Sequence, residues 1–407
     1  MDGIRKKTHE FLLIALACLA VFGPLAWIGY KKVHDKEKKQ AEQQAREKEE
    51  QDQRVTRVFE NARIYSEKMK ALEKSATEKY PVIEKIRAHG GNVGFDQHNP
   101  EWEVISVSFA SDVRGTAPHP SPDHQTHQVH VTDDLLADLR SLPQLRSLDM
   151  SDLSISDKEL RHLASLHQLT SVNLWSDKIT DASLENLKGL TKLTSLGLLS
   201  NNITGEGLRH IKQLNQLKSL SLGGNPISSE GLANLSGLTR LEHLHLGTTK
   251  VGDEGLRHLK TLTKLQFLFL SDTKITDAGL EQLKDLPNLK HLALGDTAVT
   301  DMGLAHLGSI TSLQILSLNG TKVTDAGMRH LSRMSRLESL SLDGTKVTAE
   351  GLKQLKVLSR LQEISVTDTK VSASDVRELK EHMLAVRVTI KYPEPPIENK
   401  APTIQGP

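Results

Sequence analysis

An aliphatic residue that recurs every 24 residues constrains this chain more than any other feature. The series runs without an insertion through Leu148, Val172, Leu196, Leu220, Leu244, Leu268, Leu292, Leu316, Leu340 and Ile364, and Val388 continues it. Self-similarity at a fixed period of this length is typical of units that stack on one another. The sequence therefore predicts a solenoid.

Each unit combines two hydrophobic periods. Leu268 and Leu270 lie two residues apart, so both point to the same side of a strand, whereas the segment after Thr276 has apolar residues near the 3.6-residue spacing of a helix. Thr276 is a favourable N-cap, and the carboxylate of Asp277 falls in the first turn, where it suits the helix dipole. We expect one strand and one helix per unit. Stacking must stabilise them, because a single unit buries too little apolar surface to offset its ordering entropy.

The units LTSLGLLSNNITGEGL, LQFLFLSDTKITDAGL and LQILSLNGTKVTDAGM share the pattern L-x-x-L-x-L-x-x-[NT]-x-[IV]-[TSG]-x-x-G-[LM]. This pattern resembles the leucine-rich repeat family, in particular the bacterial subtype that repeats TDAGL. The resemblance covers residues 129–390. It implies an α/β fold, a leucine-rich repeat solenoid with a parallel β-sheet on its concave face and helices on its convex face.

The family places an asparagine at the turn after each strand, where its amide bonds the backbone of neighbouring coils. Asn201 and Asn225 match this position, but most repeats carry a threonine instead, as at Thr273 and Thr297. Because a hydroxyl offers fewer hydrogen bonds than an amide, we expect weaker connections between the threonine turns.

The register of the predicted sheet decides which side chains point outward from the concave face. The three aromatic residues between positions 145 and 385 all occupy outward positions. Single exposed apolar residues are ordinary, but a contiguous cluster on a binding face is typical of contact centres. We therefore predict a site for a protein segment, formed by Trp175, Leu199, His243, His245, Phe267, Phe269, His291 and Ile315.

Histidines provide the alternative hypothesis, a metal- or pH-responsive sensor. In the Pro- and His-rich segment, His124, His127 and His130 lie three residues apart and could bind zinc or nickel, although a surface loop before the first repeat is the favoured interpretation. His243 and His245 lack a third ligand nearby in sequence, which favours a paired surface role over a metal site.

Motifs of catalysis do not emerge from the sequence. We find no nucleophile elbow, phosphate-binding loop, HExxH helix or paired catalytic carboxylates. We therefore predict no catalytic residues, no cofactor and no enzymatic activity. The net charge of +1 gives no reason to expect a nucleic-acid partner.

An uncharged stretch at residues 11–30, FLLIALACLAVFGPLAWIGY, is long enough to cross a bilayer as a helix. A cleaved signal peptide is the alternative, but Pro24, Trp27 and Tyr30 favour a spanning helix with an aromatic interface anchor. Basic residues flank both ends. The larger number of basic residues after the stretch places the solenoid in the cytoplasm. A short basic N-terminal tail, however, is the usual form of a signal anchor that exports the C-terminal part of a chain. We favour the extracytoplasmic side.

The stalk at residues 31–79 is rich in Glu, Lys, Gln, Arg and Ala and contains no Gly or Pro, which favours a helix. Its apolar residues follow the three-and-four spacing of a coiled-coil seam at Val55, Val58, Ala62, Tyr65, Met69 and Leu72. The seam is equally compatible with two structures. It could form a homodimer, or it could be the apolar stripe of a spacer helix that packs on the next domain.

The chain is predicted to consist of seven segments in order. These are an N-terminal tail at 1–10, a transmembrane helix at 11–30, the charged stalk at 31–79, an α/β N-terminal cap at 80–113, the Pro/His-rich loop at 114–128, the solenoid at 129–390 and a disordered Pro-rich tail at 391–407.

Overall fold

The computed structural model describes residues 51–96, 103–109, 131–175, 178–382 and 386–390, with separate helical positions between 36 and 49. The predicted transmembrane segment, the Pro/His-rich loop and the C-terminal tail lie outside the described residues. Within the described part of the chain, no helix is both long enough and apolar enough to cross a membrane. The chain divides into two compact units, Met1–Ser75 and Ala76–Pro407.

A long helix, α1, covers residues 51–79, as the composition of the stalk predicts. Val55, Val58 and Tyr65 of the predicted seam are exposed, and so are Phe59 and Ile64, which lie outside that seam. The apolar surface of this helix is therefore wider than a coiled-coil seam. The homodimer stays a prediction.

The second unit begins with a helix and an antiparallel strand pair. These elements are α2 (Val82–Ala88), β1 (Asn92–Phe95) and β2 (Val104–Ser108). β2 also pairs in parallel with the first solenoid strand, so the predicted cap extends the solenoid sheet by two strands. Ile83, Ile86 and Phe109 are fully buried and join the same hydrophobic core as the solenoid leucines. Gly91 lies against Phe109 so closely that a Cβ atom there would collide with the ring.

In the part of the chain that the structure describes, thirteen strands form one sheet in sequence order. The solenoid strands are β3 (Ser147–Asp149), β4 (Ser171–Asn173), β5 (Ser195–Gly197), β6 (Ser219–Ser221), β7 (His243–His245), β8 (Phe267–Phe269), β9 (His291–Ala293), β10 (Ile315–Ser317), β11 (Ser339–Ser341), β12 (Glu363–Ser365) and β13 (Arg387–Thr389). Neighbouring solenoid strands are parallel, and Leu244 pairs with Leu268 and Leu268 with Leu292. The predicted 24-residue register is therefore confirmed. These central leucines are fully buried.

Helical segments occupy the connections between strands. The α-helices are α3 (Asp133–Asp138), α4 (Asp181–Leu187), α5 (Asp253–Leu256), α6 (Asp277–Leu280), α7 (Asp301–Leu307), α8 (Asp325–Met328), α9 (Ala349–Lys353) and α10 (Ala373–His382). The 3₁₀ helices are Leu139–Ser141, Glu159–Ser165, Gly207–His210, Glu230–Leu235, Arg257–Leu259, Glu281–Asp285, Arg329–Arg333 and Gln354–Val357.

The expectation of one α-helix per repeat is only partly correct. Three repeats contain a 3₁₀ helix alone, at Glu159–Ser165, Gly207–His210 and Glu230–Leu235, and none of these helices has a side-chain N-cap. The predicted caps do act elsewhere, since the hydroxyls of Thr276 and Thr300 each accept a hydrogen bond from the N–H two residues later. A repeat this short leaves about two turns for the connection, and the tighter 3₁₀ form fits such short pieces.

A ladder of aspartates and threonines connects successive repeats. Asp277 Oδ1 accepts from the backbone N–H of Thr300 at 2.8 Å, and Asp277 Oδ2 accepts from Thr300 Oγ1 at 2.6 Å. The same paired bonds connect Asp157 to Thr180, Asp181 to Thr204, Asp253 to Thr276, Asp301 to Thr324 and Asp325 to Thr348. The first-turn aspartate is therefore also the acceptor for the next repeat.

The turns after the strands differ as the sequence predicts. Asn225 Nδ2 donates to the carbonyls of Leu198, Leu222 and Gly223, and its Oδ1 accepts from the N–H of Ile203, so the amide connects two repeats. The hydroxyl of Thr297 instead donates to Leu294 within its own repeat. Gly205 stands at an aspartate position of the ladder and has no carboxylate to accept from the following repeat. Asn225 provides hydrogen bonds between the same two repeats.

Candidate functional site

The outward side chains of the solenoid strands form one surface, which we call the sheet face. In β7 and β8 the central leucine is buried, while the first and third residues are half-buried. The sheet face corresponds to the surface predicted to be concave. Six of the predicted partner-binding residues lie in β7–β10, and Trp175 and Leu199 follow the ends of β4 and β5.

Five aromatic rings pack together on the sheet face. We call His243, His245, Phe267, Phe269 and His291 the aromatic cluster. His243 stacks on Phe267 with ring centroids 4.3 Å apart and planes 16° apart, and His245 stacks on Phe269 at 5.3 Å and 27°. The parallel register produces these stacks, because each histidine pairs with the phenylalanine 24 residues later.

His291 closes the aromatic cluster on the side of β9. Its ring makes an edge-type contact with Phe267, with centroids 6.0 Å apart and planes 67° apart, and with Phe269, at 4.9 Å and 66°. One histidine contacts both phenylalanines because the next outward position of β9 is the small Ala293. Ile315 pairs with His291 in the adjoining strand and is 38% exposed, so it extends the apolar surface beyond the rings.

Burial controls the electrostatics of the aromatic cluster. It lowers the pKa of His245 and of His291, because removing water penalises the charged imidazolium. His245 Nδ1 is buried and has no hydrogen-bond partner among the described residues. At neutral pH burial therefore favours the uncharged form of these two imidazoles.

Glycines make room for the His245 ring. A Cβ atom at Gly223 would collide with Nδ1 and Cε1 of His245, and one at Gly247 would lie 3.2 Å from Cε1. These glycines occupy outward positions that carry no side chain of their own, so they were not predicted from the sequence as part of the site. The sequence could have indicated Gly223, because the 24-residue register places this glycine beside the bulky outward residue His245.

Trp175 is not part of the aromatic cluster, although the sequence places both on one face. Its strand, β4, is separated from β7 by β5 and β6. At about 4.8 Å per strand, the distance is roughly 14 Å. The eight predicted residues therefore divide into Trp175 and Leu199 at one location and the other six at another.

A depression of about 210 Å³ lies on the sheet face over β3–β6, and we call it the polar depression. Its lining comprises Ser147, Leu148, Asp149, Ser171, Val172, Asn173, Trp175, Ser195, Leu196, Gly197, Ser219 and Ser221. Apart from Trp175, none of these residues was predicted from the sequence as part of a site. Short polar side chains carry no distinctive motif.

Comparison with protein families gives two matches, to the families described as "Leucine rich repeat" over residues 167–227 and "Leucine Rich repeat" over residues 309–332. Both matched stretches lie within the solenoid. No curated protein matches the chain.

Solved structures similar to this chain include two from Listeria monocytogenes. The internalin InlF has 20% sequence identity and a TM-score of 0.38, with 64% of this chain and 89% of that chain covered. The internalin C2 has 23% identity and a TM-score of 0.36, with coverage of 58% and 84%. A leucine-rich repeat protein from Leptospira interrogans has 19% identity and a TM-score of 0.43, with coverage of 62% and 74%.

Among the described residues, no three His, Cys, Asp or Glu side chains come close enough together to hold a metal ion. His243 and His245 each stack on a phenylalanine. His124, His127 and His130 lie outside the described residues, so their metal-binding role stays a prediction.

Proposed function

We propose that this leucine-rich repeat chain binds a protein partner through its sheet face, with the aromatic cluster as the contact centre. Leucine-rich repeat domains generally mediate protein–protein interactions. The observation that carries the proposal is the packing of two half-buried phenylalanines between three histidines on adjacent strands.

The aromatic cluster presents rings that are already held in place before a partner binds. Aromatic residues contribute strongly at interfaces because they bury a large surface with few rotatable bonds. Here the rings are held by mutual stacking, so binding costs little further side-chain entropy. Phe267 and Phe269 would face the partner's side chains.

The experiment that tests this function compares partners captured by two variants of the full-length chain. Phe267→Ser with Phe269→Ser removes the centre of the aromatic cluster. Met302→Ser with Val357→Ser removes comparable apolar surface from exposed positions in the helical connections, and serves as the matched control.

Cross-linking and mass spectrometry in native membranes should give partners that the wild type and the control share and that the phenylalanine variant loses. Identical partner sets for all three chains would reject the aromatic cluster as the contact centre.

We further propose that residues 11–30 anchor the chain in a membrane as a single-pass helix, with the solenoid on the extracytoplasmic side, and that the repeats belong to the TDAGL subtype. The uncharged stretch supports the anchor, and the related segments TDASL, TDAGL, TDMGL and TDAGM support the subtype. Met302→Cys in a Cys18→Ala background should react with a membrane-impermeant maleimide in intact cells. Labelling only after lysis would contradict the proposed orientation.

A second candidate function, a pH-responsive sensor, rests on His245 and His291. Both have a lowered pKa through burial and both contact Phe269. The metal-responsive form predicts stoichiometric zinc or nickel uptake by the full-length chain that His124→Ala with His127→Ala abolishes. Calorimetric titration without uptake would reject that form.

A further inference from the structure

Hydroxyl groups line the polar depression in a regular row. The register pairs Ser147 with Ser171, Ser171 with Ser195, and Ser195 with Ser219, so four strands each contribute one serine. Parallel strands place successive members of such a row about 4.8 Å apart. Ser221 adds a hydroxyl from the neighbouring outward row.

These hydroxyls are free to bind a ligand. Among the described residues, Ser147, Ser171, Ser195, Ser219 and Ser221 make no side-chain hydrogen bond. The other end of the sheet face contrasts with this arrangement.

There, Ser341 Oγ donates to Asn319 Oδ1 and Ser365 Oγ donates to Asp343 Oδ1, each at 2.6 Å. Serines on the sheet face thus bond to neighbouring side chains where acceptors are present, and those in the polar depression remain open.

Asp149 and Asn173 lie side by side at one end of the polar depression. Asn173 Nδ2 donates to Asp149 Oδ2 at 3.4 Å, and Ser151 donates to Asp149 Oδ1 from its backbone N–H at 3.1 Å and from Oγ at 2.7 Å. These bonds hold the carboxylate in position. A carboxylate has about four acceptor sites, so Asp149 can still accept from a ligand hydroxyl.

Trp175 provides a flat apolar surface next to these polar groups. A Cβ atom at Gly197 would collide with Asn173 Oδ1 and with Trp175 Nε1, so both side chains lie directly against the glycine backbone. The indole is half-buried in this position. A fixed ring of this kind can stack on the apolar C–H face of a ligand.

Charge and size restrict the ligand further. Among the described residues that line the polar depression, Asp149 is the one ionisable residue, and none has a cationic side chain that could hold an anion. Because Asp149 is the one carboxylate in this described lining, the polar depression lacks the ligand charge that gives calcium sites their affinity. The volume of about 210 Å³ is below the roughly 300–1,000 Å³ of sites for drug-sized ligands, which leaves room for one small ring.

We propose that the polar depression binds a neutral sugar ring. Asp149 and Asn173 would bond adjacent hydroxyls of the sugar, the serine row would bond the remaining hydroxyls, and the Trp175 indole would stack on the C–H face of the ring. Serine hydroxyls both donate and accept, and so do sugar hydroxyls. This inference does not depend on the aromatic cluster or on its proposed partner.

Saturation-transfer NMR with the full-length chain tests the inference. The probes are glucose, galactose, mannose, N-acetylglucosamine and their common disaccharides, with methylguanidinium as a cationic comparison. We expect transfer to at least one sugar. The binding constant should fall about tenfold in Trp175→Ala and in Asn173→Ala, and should be unchanged in Phe267→Ser with Phe269→Ser.

A second variant separates binding from folding. Ser171→Ala with Ser195→Ala removes two hydroxyls that make no bond among the described residues, so it should leave the fold intact and still weaken sugar binding. Transfer to no sugar, or equal transfer to wild type and all site variants, would overturn the proposal. Stronger transfer to methylguanidinium that Asp149→Asn abolishes would also overturn it, by assigning the site to a cationic side chain.

Discussion

Asp277 bonds both the backbone N–H and the hydroxyl of Thr300 in the following repeat, at 2.8 and 2.6 Å. The Thr-Asp pair at the start of these helices therefore has two roles. Thr300 caps its own helix by accepting from the N–H of Met302, and it donates to the preceding repeat through the same hydroxyl. Capping and stacking thus depend on one another along the solenoid.

Asp277→Ala should lower the free energy of unfolding by about 1–3 kcal/mol, because two half-buried donors of Thr300 lose their acceptor. Asp285→Ala is the matched control. The Asp285 carboxylate is exposed and pairs with Lys260 at 3.6 Å, and such surface ion pairs contribute little to the free energy of unfolding. Urea denaturation followed by circular dichroism gives the comparison. Equal midpoints for the two variants would show that the ladder does not stabilise the stack.

Asn225→Ala should destabilise the solenoid more than Thr297→Ala. The asparagine amide makes four hydrogen bonds, two of them to the preceding repeat, whereas the threonine hydroxyl bonds within its own repeat. Each lost bond costs about 1 kcal/mol. The urea midpoints of the two variants decide the order, and a larger loss for Thr297→Ala would contradict this account of the turns.

Gly223→Ala should displace the His245 ring, because the added methyl group meets Nδ1 and Cε1 directly. Overpacking of this kind costs about 1–3 kcal/mol unless the ring moves away. Gly237→Ala is the control, because a Cβ atom there would lie 3.9 Å from the nearest heavy atom and would not collide with it. We expect the NMR signals of the His245 ring to shift in the first variant and stay in place in the second. Unshifted signals in both would mean that the glycine does not position the ring.

Acidification should weaken the fold through His245 and His291. Their folded-state pKa is lowered from the ordinary value of 6.5 by burial, so the unfolded chain takes up protons first as the pH falls. This contribution to stability is complete above about pH 6.5 and is lost as the pH falls through the folded-state pKa.

His245→Gln with His291→Gln should flatten the dependence of the urea midpoint on pH between about 7.5 and 5, whereas His167→Gln, at an exposed position, should not. An unchanged slope in the double variant would mean that these histidines do not control the pH response.

The sequence predicts the repeats and their register well, because period and burial coincide at residues such as Leu244 and Leu268. It predicts the outward direction of Phe267 for the same reason. It does not predict that Asp277 bonds Thr300, since that contact depends on the distance between neighbouring repeats rather than on spacing within one.

The same register places Trp175 three repeats before the aromatic cluster, so the sequence implies their separation. The polar depression beside Trp175 could not be predicted from the sequence. It arises from glycines and serines, whose role depends on what the next strand carries. Gly197 illustrates this point, since its lack of a side chain is what allows Trp175 and Asn173 to lie against the sheet.

The most direct test of the central claim places a photo-cross-linker at the rim of the aromatic cluster. We suggest p-benzoylphenylalanine in place of Ile315, which is 38% exposed on the sheet face, and in place of Met302, which is 68% exposed in α7. Irradiation of cells that express each full-length chain should give specific adducts from position 315, and these should disappear with Phe267→Ser and Phe269→Ser. Adducts from position 302 alone, or adducts from position 315 that survive the loss of both phenylalanines, would contradict recognition by the aromatic cluster.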